Sequence, residues 1–247
     1  NTGGVVIMRF VAGLVLGAVI SFSGAQAATL TVDSVSGAWT NPVTTNKTWG
    51  AITGVGTDDI AWGIPWSTID QRSTYDFDGG TPVTATTPTT FLIGSYTHEN
   101  WTIYSSSDRL LQADLAVNVA GFAGGLAYSL LSAFTFTHDE TLNNAACPAG
   151  TTPCGDLVTI TNTTSGSTVI TVGNTIYTLI IDGFVQALGG PVVTSFLTAE
   201  RQATTLYLQA RLDITTIPPT PVPLPASGLV LGAALGGLYI VRRRRGA

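Results

Sequence analysis

The chain has 247 residues, with 10 Lys and Arg against 15 Asp and Glu, for a formal charge of −5. Between positions 28 and 214, five basic residues face all fifteen acids, formally −10, because the other five arginines lie in the two end segments. So acidic a surface repels nucleic acid and anionic lipid, and leaves divalent cations and neutral polymers as compatible partners.

Met8 and Arg9 open an apolar segment from Phe10 to Phe22, followed by Ser-Gly-Ala-Gln-Ala-Ala. A short positive region, an apolar core and a small-residue site make residues 1–27 a signal peptide, with translation expected to start at Met8 and cleavage before Ala28. Residues 28–214 then form one exported domain, long enough to bury about 70% of its unfolded surface.

Within it the reading is strands and turns. Asp76-Phe-Asp78-Gly-Gly80 resembles half of a calcium loop. Calcium wants about six to eight oxygens, so Asp76 and Asp78 are either part of a structural Ca²⁺ site or an ordinary Asx turn. No other cofactor is expected. From Arg109 to Gly121 the residues alternate, with Leu111, Ala113, Leu115, Val117 and Val119 on one face and Gln112, Asp114 and Asn118 on the other. Period two over that length predicts a half-buried strand. Phe134, Phe136 and His138 share a face, as do Tyr177, Leu179 and Ile181, and as do Leu206, Leu208, Ala210, Leu212 and Ile214. Val158-Thr-Ile160 and Thr168–Val172 flank Asn162–Gly166, which reads as a hairpin loop. Short helical turns are expected only at 183–190 and 198–203. The predicted fold is all-β, an antiparallel β-sandwich of jelly-roll type, since no amphipathic helices are present to support a βαβ architecture.

Cys147 and Cys154 close a small loop, and export to an oxidising compartment predicts a structural disulfide contributing about 2–3 kcal/mol. Two thiols are too few for a metal site, and a catalytic thiol would be trapped by its partner.

The only two histidines, His98 and His138, each adjoin acids, Glu99 in one case and Asp139 and Glu140 in the other. An imidazole beside a carboxylate forms an acid/base pair, and two His with a carboxylate bind a metal. The plainer alternative, which we favour, is that His98 and Glu140 fix loops through hydrogen bonds. No nucleophile elbow, HExxH or phosphate loop is present. A pair of glycosidase carboxylates would be invisible to sequence spacing. Trp39, Trp49, Trp62, Trp66 and Trp101 crowd the first half. Exposed, they would stack on sugars, and buried they are core. Trp62 and Trp66 are the pair to suspect. The binding candidates are therefore His98, Glu99, Asn100, Glu140, Trp62 and Trp66, with no catalytic residue assigned.

Residues 215–225, Thr-Thr-Ile-Pro-Pro-Thr-Pro-Val-Pro-Leu-Pro, read as a polyproline-II spacer unable to pair in a sheet. Leu224 to Val241 counts 18 residues without a charge, about 27 Å as a helix, which predicts a single transmembrane helix. Arg242, Arg243, Arg244 and Arg245 would hold its far end in the cytoplasm.

Two resemblances rest on these residues. Val222, Pro223, Leu224, Pro225 and Ala226, the apolar span and the arginine cluster, together residues 222–247, resemble the PEP-CTERM sorting signal of Gram-negative bacteria in its VPLPA variant. That resemblance implies cleavage by an exosortase-type membrane protease, an inner-membrane intermediate, and delivery to the cell surface or matrix, where exopolysaccharide or biofilm is the implied associate. Ile60–Gly63, the run Gly94, Thr97, His98, Asn100, the run Glu140, Thr141, Asn143, the two cysteines and Asp156 resemble the choice-of-anchor K domains. Thr102 and Leu142 stand where that pattern has Pro. The resemblance implies a β-rich, surface-delivered module with no established activity. The function expected is thus a non-catalytic exported surface protein. The alternatives are a secreted polysaccharide hydrolase centred on His98 and Glu140, and a permanently membrane-anchored binding protein.

Overall fold

A computed structural model describes residues 28–80, 82–141, 155–164, 166–218 and 226–245. The signal peptide, both cysteines, Leu142, Asn143 and Val222–Pro225 of the sorting motif lie outside the described residues.

The strands run in chain order as β1 (Leu30–Thr44), β2 (Asp59–Trp62), β3 (Ser73–Gly79), β4 (Val83–Ala85), β5 (Thr89–Asn100), β6 (Leu110–Ala123), β7 (Leu126–Asp139), β8 (Gly155–Thr164), β9 (Ser167–Val172), β10 (Thr175–Val185), β11 (Ser195–Ala199) and β12 (Gln202–Thr216). They pair into two six-stranded antiparallel sheets, with orders β11-β8-β7-β6-β1-β4 and β2-β3-β5-β12-β10-β9. The fold is all-β and sandwich-like.

The alternation read from sequence is what lets two sheets share one core: each strand contributes every second side chain to the interior. Trp39, Phe134 and Phe136 from the first sheet meet Tyr75, Tyr96 and Phe184 from the second. Trp39 lies 5.1 Å from Tyr75, Phe136 lies 4.7 Å from Tyr96, and Phe134 lies 5.0 Å from Phe184, ring centre to ring centre. Buried aromatic pairs of this kind add about 0.5–1.5 kcal/mol each beyond their area.

Four sequence expectations need correction. Leu111 points outward and Leu110 inward, because a register shift opposite Val43 and Thr44 changes the phase of β6 at its first residues; a bulge reverses the face of everything before it. Residues 162–166 do not close a hairpin: β8 pairs with β7 and β11 in one sheet, β9 with β10 in the other, so the connection crosses between sheets. The stretch 183–190 is strand, turn and bend, and 198–203 is strand, tight turn and strand, with no helix in either. Thr215 and Thr216 pair with Ile176 and Thr175, so the last strand outruns the predicted domain end at 214.

Ala226–Arg244 forms helix α1, with Arg242, Arg243 and Arg244 in its last turn, where cations complement the helix dipole. Leu231, Leu235, Leu238, Tyr239 and Ile240 are all exposed. Among the described residues, no helix is long and apolar enough to cross a membrane. The apolar part from Ala226 to Val241 measures about 24 Å, against about 30 Å of hydrocarbon.

Candidate functional site

Ser73, Tyr75 and Phe77 point inward from β3, and Tyr96, His98 and Asn100 point inward from the paired β5. From the opposite sheet, β7 sends in Phe134, Phe136 and His138, and Asp156 follows at the start of β8. These inward faces bring both histidines of the chain to one end of the interior, where Trp62 from β2 and Glu140 after β7 close around them. His98 is fully buried and Asp156 nearly so, and His138 and Glu140 are buried as well.

The geometry is specific. His138 Nε2 stands 3.3 Å from Glu140 Oε2 and 3.5 Å from Asp156 Oδ2, while His98 Nε2 stands 3.9 Å from the same Oδ2. The opposite atoms of His98, His138 and Asp156 are held from outside, and Glu140 is held at the same oxygen that faces His138. Tyr75 OH lies 2.6 Å from His138 Nδ1, and Thr198 Oγ1 lies 2.9 Å from His98 Nδ1. The Thr141 backbone N–H donates to Asp156 Oδ1 at 2.9 Å, and Trp62 Nε1 donates to Glu140 Oε2 at 3.1 Å. Asn100 Nδ2 donates to the Thr198 carbonyl, pinning β11 over the cluster. The turn from β11 to β12 that makes this possible places Arg201 in the left-handed region (φ 59°) and ties it to Asp70 at 2.7 Å.

Burial, and then the neighbouring His138, pull His98 well below its ordinary pKa, so it is neutral. Burial also pulls on His138, but contact with the Asp156 and Glu140 carboxylates outweighs it and raises the imidazole to about 9. Burial, with the charge of Glu140, raises Asp156 to about 6, against the opposing pull of His138. At neutral pH, His138 is therefore cationic and His98 neutral, in a buried set that they form with the acidic side chains of Asp156 and Glu140. His98, His138 and Asp156 have one donor atom each within 4.8 Å of one another, and they are the group of three or more His, Cys, Asp or Glu among the described residues able to hold a metal ion.

The predicted site residues divide. His98, Asn100, Glu140 and Trp62 come together. Glu99 does not: adjacent residues of a strand point to opposite faces, and its carboxylate accepts from Trp101 Nε1 at 3.3 Å outside the cluster. Trp66 does not either. Trp62 is buried, 5.1 Å from the His138 ring. After Gly63, which takes φ +77° and whose Cβ would collide with Ile103, the chain turns away and leaves Trp66 57% exposed. There it packs against Tyr104 at 4.8 Å, with Trp49, 48% exposed, on Tyr104 at 5.2 Å. Backbone bonds from Trp66 N to the Thr102 carbonyl and from Tyr104 N to the Ile64 carbonyl hold the two segments side by side. Asp76 and Asp78 stay on the outer side of β3 about buried Phe77, opposite Thr97 and Ser95, and among the described residues belong to no such donor group. Tyr75 and Thr198 carried no sequence signal as site residues, because their roles depend on cross-strand neighbours distant in the chain.

No protein-family model matches the chain, and no curated protein matches it.

Proposed function

We propose that this is an exported, non-catalytic β-sandwich module of a Gram-negative bacterium, delivered to the cell surface or extracellular matrix by its C-terminal segment. The observation that carries the reading is α1: a helix that starts at Ala226 of the Val-Pro-Leu-Pro-Ala motif, exposes Leu231, Leu235, Leu238, Tyr239 and Ile240, and ends on three arginines. Such a helix is stable only if its apolar sides are covered, and a lipid surface with the arginines at the cytoplasmic headgroups covers them. Together with Leu224 and Pro225 it serves as a transient inner-membrane anchor until an exosortase-type protease cuts near the motif. A disulfide between Cys147 and Cys154 belongs to the same oxidising destination.

The non-catalytic part of the reading is supported by the burial of His98, His138, Glu140 and Asp156, since a polymeric substrate needs its catalytic groups in an open cleft. The exposed Trp49–Tyr104–Trp66 stack supports association with a neutral polysaccharide, since tilted aromatic faces offer stacking surfaces to sugars. The experiment is the intact mass of the mature protein from cells with and without the sorting protease. Loss of residues 1–27 in both cells, with loss of Arg242–Arg245 only where the protease is present, is the expected result. A mature chain retaining the arginines in both cells would overturn sorting and make the protein a permanent membrane-anchored one.

A further inference from the structure

We propose that His98 Nε2, His138 Nε2, Asp156 Oδ2 and the Glu140 carboxylate form a closed structural site for one divalent transition cation of the zinc type. Three observations carry this.

The first is spacing. A tetrahedral ion with ligands at about 2.0–2.1 Å has ligand atoms about 3.3–3.4 Å apart. The three measured separations, 3.3, 3.5 and 3.9 Å, begin at that edge length, and two of them are too long to be good hydrogen bonds. Closing the 3.9 Å gap between His98 Nε2 and Asp156 Oδ2 requires a shift of about half an ångström.

The second is what lies unsatisfied. His98 Nε2 and Asp156 Oδ2 are buried without a hydrogen-bond partner, although such atoms almost always have one. Both are aimed at the same point, 3.9 Å apart. A cation between them supplies a partner to each in one step.

The third is how the remaining atoms are held. Metal-bound imidazoles characteristically donate their other N–H to a neighbouring oxygen, and bound carboxylates are themselves hydrogen-bonded. Here Tyr75 and Thr198 hold the two Nδ1 atoms, Thr141 holds Asp156 Oδ1 and Trp62 holds Glu140. His98, His138 and Asp156 are each held at one donor atom and turn the other toward the cluster, while Glu140 Oε2 both accepts from Trp62 and faces His138 Nε2.

Ligand chemistry selects the ion. Two imidazoles with carboxylates suit zinc and its neighbours, whereas calcium and magnesium take oxygen shells of six or more. Two carboxylates balance a divalent charge, which offsets part of the cost of burying it. With β5 in one sheet and β7 and β8 in the other, the ion would clamp the sheets together at this end, a structural role matching the absence of an open position for substrate.

The test uses the full chain, stripped with a chelator and titrated calorimetrically with ZnCl₂ alone, with CoCl₂ as a spectroscopic probe. One equivalent of zinc per chain, a four-coordinate cobalt spectrum, and a rise in unfolding temperature with zinc but not with calcium are expected. His98→Gln and Asp156→Asn should each weaken zinc binding at least a hundredfold, and Asp76→Asn should leave it unchanged. If a cluster variant fails to fold, the wild-type cobalt spectrum still decides. Stripped, folded wild-type protein that takes up no stoichiometric zinc would overturn the proposal and leave a proton-sharing network. Calcium binding in place of zinc would overturn the ion class, and an unaffected Asp156→Asn variant would overturn the site.

Discussion

Replacing Tyr75 by Phe isolates the hydrogen bond that orients His138. The ring of Tyr75 packs against Trp62 at 4.9 Å, Trp39 at 5.1 Å and Phe136 at 5.8 Å, and Phe keeps all three contacts without leaving a cavity. What is lost is the 2.6 Å bond to His138 Nδ1, between two fully buried groups. At pH 7, His138 is protonated, since its carboxylate partners raise it to about 9, so the variant leaves a charged donor buried and unpartnered. Hydrogen bonds to charged groups contribute about 1.5–3 kcal/mol, and leaving one end buried costs at least that much. Some is recovered because the hydroxyl no longer needs desolvating, so about 2 kcal/mol is expected. For a domain of this size, that corresponds to about 4–8 °C in Tm. The assay is urea unfolding with chelator present, which should show a lower midpoint with an unchanged slope. The sign with pH follows from the raised pKa. Stability contributed by His138 is complete below its unfolded value near 6.5 and is lost as pH rises through about 9, so the penalty of the substitution should shrink above that value. A loss under about 0.5 kcal/mol at pH 7, or a penalty that grows on passing pH 9, would refute the argument.

Glu200 has a linkage of the same sign at lower pH. Burial, then the charges of Asp156 and Glu140, raise its carboxyl to about 7. The folded protein thus holds a proton that the unfolded chain has already released, and stability falls as pH rises from the unfolded value of 4.5 through about 7. Glu200→Gln should match the parent at pH 4 and exceed it at pH 8 by about 1–2 kcal/mol, the full shift being discounted for partial exposure; equal stability at both pH values would contradict this. Gly54 and Gly56 separate backbone conformation from collision. Both take positive φ, +82° and +88°, but a Cβ at Gly54 would run into the Asp59 carbonyl while one at Gly56 meets open space. Gly56→Ala should cost about 1–2 kcal/mol for conformation alone, and Gly54→Ala a further 1–3 kcal/mol for overpacking. Equal losses by thermal denaturation would show that no collision occurs.

The all-β class was legible from the chain because a strand half buried in a core needs apolar residues at every second position, and β6, β7, β10 and β12 supply them. The same rule located His138 on the inner face with Phe134 and Phe136, and it separates Glu99 from His98. Local periodicity has no information about register or sheet membership, which depend on partners far along the chain. A local reading therefore puts Leu111 on the wrong face, makes 162–166 a hairpin, and pairs Trp62 with Trp66 although the chain turns away after Gly63 and leaves one buried and the other exposed. For the same reason it recognises neither Tyr75 nor Thr198. His98 and Thr198 are 100 positions apart and Tyr75 and His138 are 63 apart, and only the stacking of two sheets, which buries both histidines at one end, brings their polar atoms to a common point.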